Sequence, residues 1–443
     1  MSRVADPPTS VSKPTNLTEH EEAPAHKNLK DDNETSTIVS TTSTLSHNQE
    51  PHESFQTKAF NLILTLFPNH SMPDIQIAPH RSGPQHRILS IKVARDPSPT
   101  CLIPYWTSAL LRCMSRARKV PTDKFILRIP RGNSKGIVYH IATLEFLRTH
   151  LSYPIPKNFI LDTGVENPLN ASYMIQHRLP GRPLDQLWSN LTHEMKVSVV
   201  RQLTPILRDI ARLRNSKAGI VSWLNSSIDF AEYVKVEGFP VPGLQEVLRG
   251  TGDVKTVAPK KQSTIALLLE LCARWREYEI ENEGEEKIVW SGIENMIWKL
   301  YELGFMPDSD CFHFSHMDLK KRNVLVDVRN NRLKISGIVG WDVAAFVPKF
   351  VAYRGPFFLW CEDIDELDEK NALVEPKYID ASLAKNFFRD IADEDFLKYA
   401  FAPEYVLARR MFRLCQCGIR SDRALDEAED VVHEFEQMYS LDG

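Results

Sequence analysis

Hydrophobic and polar positions along the first half of the chain repeat with periods that alternate between strand and helix. SFQTKAFNLILTLF at 54–67 spaces its apolar residues as a short amphipathic helix, and IQIA at 75–78 and RILSIKV at 87–93 alternate as two strands around the turn RSGPQH. A helical pattern is expected at 105–118, and KFILRIP at 124–130 reads as a third strand. GIVYHIATLEFLRTHL at 136–151 predicts a helix of about four turns, and SYPIPKNFILD at 152–162 returns the chain to an extended form.

In YMIQHRLPGRPLDQLW at 173–188 a strand runs into a Pro-Gly turn, with a helix predicted to begin near Leu184. Beyond it helical periodicity dominates, at 192–214, 261–281, 285–304, 380–397 and 403–440. One interruption stands out: VLVDV at 324–328 and RLKISGIVGW at 332–341, joined by the polar turn RNNR, read as a β-hairpin. The expected division is therefore a tail at 1–54, a small β-rich lobe at 55–178 and a larger, mostly helical lobe at 179–443 that carries the hairpin. The tail is rich in Ser, Thr, Pro, His, Asn and Glu, too poor in large apolar groups to offset ordering entropy, and is expected to be disordered.

Composition narrows the function classes. With 42% hydrophobic and 25% charged residues among 443, the bulk of the chain is ordinary globular protein. A net charge of −4 supplies no global field for a nucleic-acid backbone, so no nucleic-acid partner is expected. Seven scattered cysteines show no metal-ligand spacing and read as reduced thiols; the CxC pair Cys415 and Cys417 falls within a helical pattern. The N-terminus MSRVADPPTS lacks an apolar signal core, and FNLILTLF is too short to span a bilayer, which makes a cytoplasmic protein with no membrane partner the expectation.

The chemistry concentrates in HFSHMDLKKRNVLVDVRNNRLKISGIVGWD at 313–342. Asp318 and Asn323 stand five residues apart in what reads as an irregular loop, which can aim both side chains at one phosphate where a helix would turn them apart. Phosphoryl transfer asks for such a set: a carboxylate to position an acceptor hydroxyl, and an amide oxygen with a second carboxylate for the magnesium that neutralises the phosphates. The acidic run EIENEGEEK at 279–287 reads as a solvated connection, and the aromatics of GPFFLW at 355–360 read as core rather than as the floor of an acceptor pocket.

HMDLKKRN resembles the HxDxxxxN catalytic loop shared by aminoglycoside phosphotransferases and protein kinases, and GIVGWDVAAFVPKFVAY with YMIQHRLPGRPLDQLW resembles the fungal aminoglycoside phosphotransferase-like group. The resemblance runs from about Phe55 to the C-terminal end and implies an α+β, protein-kinase-like fold of two lobes with an ATP site between them. It implies Asp318 as catalytic base, His316 as a prop for the loop, Lys320 as a phosphate contact and Asn323 as a magnesium ligand; the second candidate ligand is Asp342, which the backbone freedom of Gly340 would let reach in. Arg128 would contact the phosphates and pair with Glu145, while Tyr173–His177, Ile175 and His177 included, would bind the adenine through its backbone.

At one position the chain departs from that pattern. The family's metal-binding Asp precedes the hairpin's Trp, and here Gly340 precedes Trp341. Two readings follow: an ATP- and Mg2+-dependent phosphotransferase acting on a small hydroxylated molecule, or a pseudokinase that keeps the fold as a binding or scaffold protein. RSGPQHR at 81–87 has one glycine, and Pro84 removes a donor, so it is a poor phosphate cradle and reads as a hairpin turn.

Overall fold

The computed structural model describes residues 51–83, 85–95, 122–132, 134–223, 234–249, 258–306, 311–361 and 368–439. The helix expected at 105–118 lies outside the described residues, as does the tail up to residue 50. Residues 52–54, assigned to the tail, already belong to the first helix, α1 (His52–Leu66).

Five antiparallel strands form the first sheet: β1 (Ile75–Pro79), β2 (His86–Ala94), β3 (Thr122–Pro130), β4 (Asn158–Asp162) and β5 (Tyr173–His177), in the spatial order β1-β2-β3-β5-β4. Alternation sorts their side chains by face. Ile77, Leu89, Ile91, Phe125, Leu127 and Ile175 pack with Phe55, Ala59, Leu62 and Ile63 of α1. The opposite parity brings His86, Ile88, Ser90, Ile126, Arg128, Met174 and Gln176 to the other face, where Met174 meets Ile137 and Ile141 of α2 (Lys135–His150). Ala142, Leu144 and Leu147 of the same helix belong to the large core of the C-terminal lobe, so α2 ties the two lobes together.

The chain crosses over at Arg178–Gly181 into β6 (Arg182–Pro183). The helix that begins at Leu184 is a short 3-10 helix, Leu184–Gln186; it and a second, Trp188–Asn190, precede α3 (His193–Ala211), whose first turn is capped by the Thr192 hydroxyl accepting from Met195 N–H. A second five-stranded sheet that periodicity did not reveal follows, made of β7 (Arg214–Asn215), β8 (Gly219–Trp223), β9 (Val234–Glu237), β10 (Phe312–Ser315) and β13 (Ala345–Val347) in the order β7-β10-β13-β8-β9. Between β9 and β10 lie a short helix, α4 (Leu244–Arg249), and the helices Thr264–Glu283 and Val289–Glu302. The hairpin has the expected place, β11 (Val324–Arg329) and β12 (Arg332–Ile338), turning at Asn330 and Asn331, both at positive φ, and β6 pairs along the outer side of β11.

The α+β, two-lobed architecture is thus observed, with a β-rich first lobe and a mostly helical second one. The long C-terminal pattern is split at Gly418, where φ is +75° and a Cβ would lie 2.4 Å from the Trp275 ring, into helices Pro403–Cys417 and Asp422–Tyr439. GPFFLW is core, with Phe357, Phe358, Leu359 and Trp360 all buried. The acidic run is not wholly solvated: Glu279 is buried and accepts from the Trp290 indole and Lys287 N–H. No helix among the described residues is long and apolar enough to cross a membrane.

Candidate functional site

The segment from β10 to β11 is a tight loop held at three points. Met317 sits at φ 62°, unusual for a residue with a side chain, and the turn lets Asp318 N–H reach the His316 carbonyl at 2.8 Å and His316 Nδ1 at 3.3 Å. His316 Nε2 is 2.9 Å from the Val339 carbonyl beyond the hairpin, so the ring donates there and accepts from Asp318. Burial holds His316 below the ordinary histidine pKa, which keeps it neutral in this bridging role. Asn323 then closes the loop, its amide donating to the Asp318 carbonyl at 2.7 Å and lying 3.4 Å from the Asp318 carboxylate. Asp318 and Asn323 therefore face each other.

Asp318 keeps 27% of its side chain exposed, with Arg322 Nη2 at 2.9 Å and Lys320 Nζ at 3.6 Å. Gly340 backs onto this pair with φ +85°, and a Cβ there would lie 2.8–2.9 Å from the Asn323 side-chain atoms. A carboxylate at this position would need Asn323 to move; aspartate does tolerate left-handed backbone better than most residues.

Asp342 is turned toward the other lobe. Its Oδ1 lies 2.6 Å from Arg128 Nη2, 3.2 Å from His140 Nδ1 and 3.5 Å from His86 Nδ1, so β2, β3 and α2 each send one group to a single oxygen. Arg128 Nη1 also donates to His140 Nε2 at 3.2 Å, and Nη2 to His86 Nδ1 at 3.1 Å. Gln176 adds a second donor to His140 Nε2 at 3.3 Å, which leaves the His140 proton on Nδ1, aimed at Asp342. Burial and the neighbouring Arg128 pull His86 down to about 3, and burial pulls His140 down as well, so both rings are neutral acceptors for the guanidinium. Burial works against the Asp342 charge, but Arg128, and then the hydrogen bond from His140 Nδ1, more than offset it and hold the carboxyl well below its usual range.

Two expectations need correcting here. Arg128 does not pair with Glu145, whose carboxylate is taken by Arg148 at 3.0 Å and Asn158 at 3.3 Å. On a helix five residues rotate a side chain by about 140°, so once His140 faces Arg128, Glu145 cannot. Asp342 is likewise not grouped with Asn323 as a metal pair; Oδ1 is committed to Arg128, and only Oδ2 carries none of these contacts. Among the described residues no group of three His, Cys, Asp or Glu could hold a metal ion by itself.

Ile175 and His177 are corrected too. They lie on β5, an interior strand paired with β3 on one side and β4 on the other, so their backbone is engaged within the sheet. His177 N–H donates to the Lys157 carbonyl at 2.9 Å, and its exposed ring packs with Phe125 and Phe159. The crossing begins at Arg178, whose guanidinium donates to Ser90 Oγ at 2.9 Å on the sheet's other face. The β1–β2 turn reaches the second lobe through Arg81, 2.5 Å from Asp185. The sequence reading misses His86, His140 and the side-chain role of Gln176; the available signal is strand parity, which puts His86 and Arg128 on one face once β2 and β3 are paired.

No family model matches the chain. Among curated proteins, a subtelomeric hrmA-associated cluster protein of Aspergillus fumigatus is 34% identical over 74 residues, covering 17% of this chain and 14% of that protein. Altered inheritance of mitochondria protein 9, mitochondrial, of Eremothecium gossypii is 21% identical over 325 residues, covering 59% of this chain and 53% of that protein. The matched region is thus a small part of the first relative and about half of the second. In shape the chain is similar to aminoglycoside phosphotransferase APH(4)-Ia, at a TM-score of 0.47 and 14% identity over 88% of this chain and 99% of that one. It is similar also to the GDP and kanamycin complex of an APH(2")-type enzyme, at a TM-score of 0.43 and 13% identity over 86% of this chain and 99% of that one.

Proposed function

We propose that the chain is a kinase-like phosphotransferase that uses ATP with Mg2+ and transfers phosphate to a hydroxyl of a small molecule. The observation that carries this reading is the mutual geometry of Asp318 and Asn323, an acid and an amide hydrogen-bonded across a loop braced by neutral His316. Asp318 would accept the hydroxyl proton, exchanging its contact with Arg322 for the acceptor, while Lys320 beside it would meet the transferring phosphate. The base would lie under half-exposed Ile88 and Ile126, read by the backbone at Leu179, since Arg178 N–H still donates to the Lys124 carbonyl at 2.9 Å.

Asn323, whose amide nitrogen donates to the Asp318 carbonyl, would offer Oδ1 as this chain's own ligand to a hard cation that takes its remaining ligands from phosphate and water, while Asp342 stays committed to Arg128. Bound there, magnesium would supply charge neutralisation on the phosphates. The fit is leaner than a two-carboxylate site because position 340 is glycine. Gly340 favours the second reading, a pseudokinase that keeps the fold as a binding or scaffold protein. A thermal-shift titration separates the two classes of outcome: stabilisation by ATP that requires magnesium is expected, since a ligand binding only the native state stabilises it by mass action. Asp318→Asn should then keep that shift and lose about 10²- to 10⁴-fold in ATP turnover. Unchanged turnover in Asp318→Asn would remove the catalytic assignment, and a wild-type chain that binds but never turns over would establish the pseudokinase.

A further inference from the structure

Arg128, the β3 cation that the family resemblance sets against the phosphates, is already occupied. Arginine recognises a phosphate through a planar fork of N–H donors. In this fork Nη1 is spent on His140 and Nη2 on both His86 and Asp342, while Nε is buried with no partner. The anion in the fork belongs to the chain itself and comes from the opposite lobe.

What holds Asp342 in place is equally specific. Its neighbour Val343 packs against Tyr139, Ile220, Leu244, Val247 and Leu248, joining α2, β8 and α4 in one apolar cluster. Tyr139 also donates to Glu237 at 2.8 Å, and Ser222 donates to the other oxygen of Glu237 at 2.8 Å, so the β8–β9 hairpin is fastened to α2 by a polar contact. At Gly136 a Cβ would lie 2.9 Å from Leu248, so α2 and α4 are in close apposition. The elements β8, β9 and α4 therefore brace the helix that carries His140 and the turn that carries Asp342 against each other.

We infer that Asp342 is an internal substitute for phosphate, a latch that closes Arg128 until a polyphosphate chain displaces it. The inference rests on the proposed nucleotide site and specifies its regulation. Because the competent state is the one with Arg128 released, the apparent affinity for a polyphosphate is reduced by the fraction of molecules in that state. Removing the internal anion removes that reduction. His86 and His140 are positioning residues in this scheme: they aim the guanidinium without adding charge.

The test uses the full chain and inorganic tripolyphosphate without metal, measured by isothermal titration calorimetry. Asp342→Asn keeps the side-chain shape and is expected to bind tripolyphosphate at least about tenfold more tightly than the wild type, whereas Asp342→Asn with Arg128→Gln is expected to show no gain. Equal or weaker binding by Asp342→Asn overturns the latch, as does a gain that survives in the double variant. If Asp342→Asn fails to fold, Asp342→Ser, which leaves room for an anion beside the guanidinium, serves the same comparison. Magnesium-ATP binding to the wild type is measured in parallel and bears only on the nucleotide reading, so the two failures are separable.

Discussion

Asp318 and Asp342 flank the same hairpin, and each is a carboxylate with cationic company, yet they are held in opposite ways. The partners of Asp318 come from its own loop, on long side chains, with Arg322 42% exposed. Those of Asp342 come from β2, β3 and α2 in the other lobe, with the Arg128 side chain only 10% exposed and both of its terminal nitrogens engaged. A charge held by flexible groups near water can trade them for a ligand at small cost, which suits an acid that must meet a hydroxyl. Removing a partner from a buried charge is costly, which suits a joint between lobes.

The largest expected effect breaks the buried side of this comparison. Arg128→Ala leaves Asp342 in a low-dielectric site with only neutral rings beside it, and should lower unfolding free energy by about 3–5 kcal/mol, read as a drop in the urea midpoint. Replacing both partners, Arg128→Met with Asp342→Leu, removes the two charges together and is expected to recover most of that loss. If the single variant is as stable as the wild type, the pair is not the joint described above.

Acid sharpens the contrast next, because four buried histidines, His86, His140, His313 and His316, have lowered pKa values while Asp318 sits near solvent. The folded-state pKa of His86 falls from the ordinary 6.5 to about 3, so between those values the unfolded chain binds a proton that the folded chain does not. Stability is therefore full above about 6.5 and declines as pH falls, by up to about 1.4 kcal/mol per pH unit for each such histidine. Urea midpoints at pH 7.5 and 5.5 should show the decline. His86→Asn, whose amide oxygen can replace Nδ1 as acceptor without titrating, should make it shallower; identical slopes would mean that His86 takes up its proton without strain.

How legible this arrangement was depends on the range of the interactions. The catalytic loop and hairpin are local, and HMDLKKRN followed by two short alternating runs was enough to place Asp318, Asn323 and the β11–β12 turn. Arg128 was identified, but its partners were not, because they depend on pairings across 42 positions to His86 and 214 to Asp342, which no local pattern encodes. Glu145 follows from the family resemblance without the helix phase, and His140 holds the face that matters. The second sheet escaped notice for a related reason. Its strands run from two to five residues, and β10 and β13 are brought together from opposite sides of the hairpin.

The smallest expected effect tests the exposed side. Arg322→Gln removes the closer of the two cations on Asp318, a contact of 2.9 Å between groups that are 42% and 27% exposed. An ion pair of this kind contributes about 0.2–1 kcal/mol, screened by salt, so the urea midpoint should scarcely move. Asn323 and His316 still hold the loop, and Lys320 remains 3.6 Å from the carboxylate, so the acid keeps its position while losing a competitor for the acceptor hydroxyl. Arg322→Gln should therefore leave nucleotide-induced stabilisation in place. A loss of stability as large as that expected for Arg128→Ala would show that Asp318 is anchored as firmly as Asp342, and the division between a loosely held acid and a firmly held one would fail.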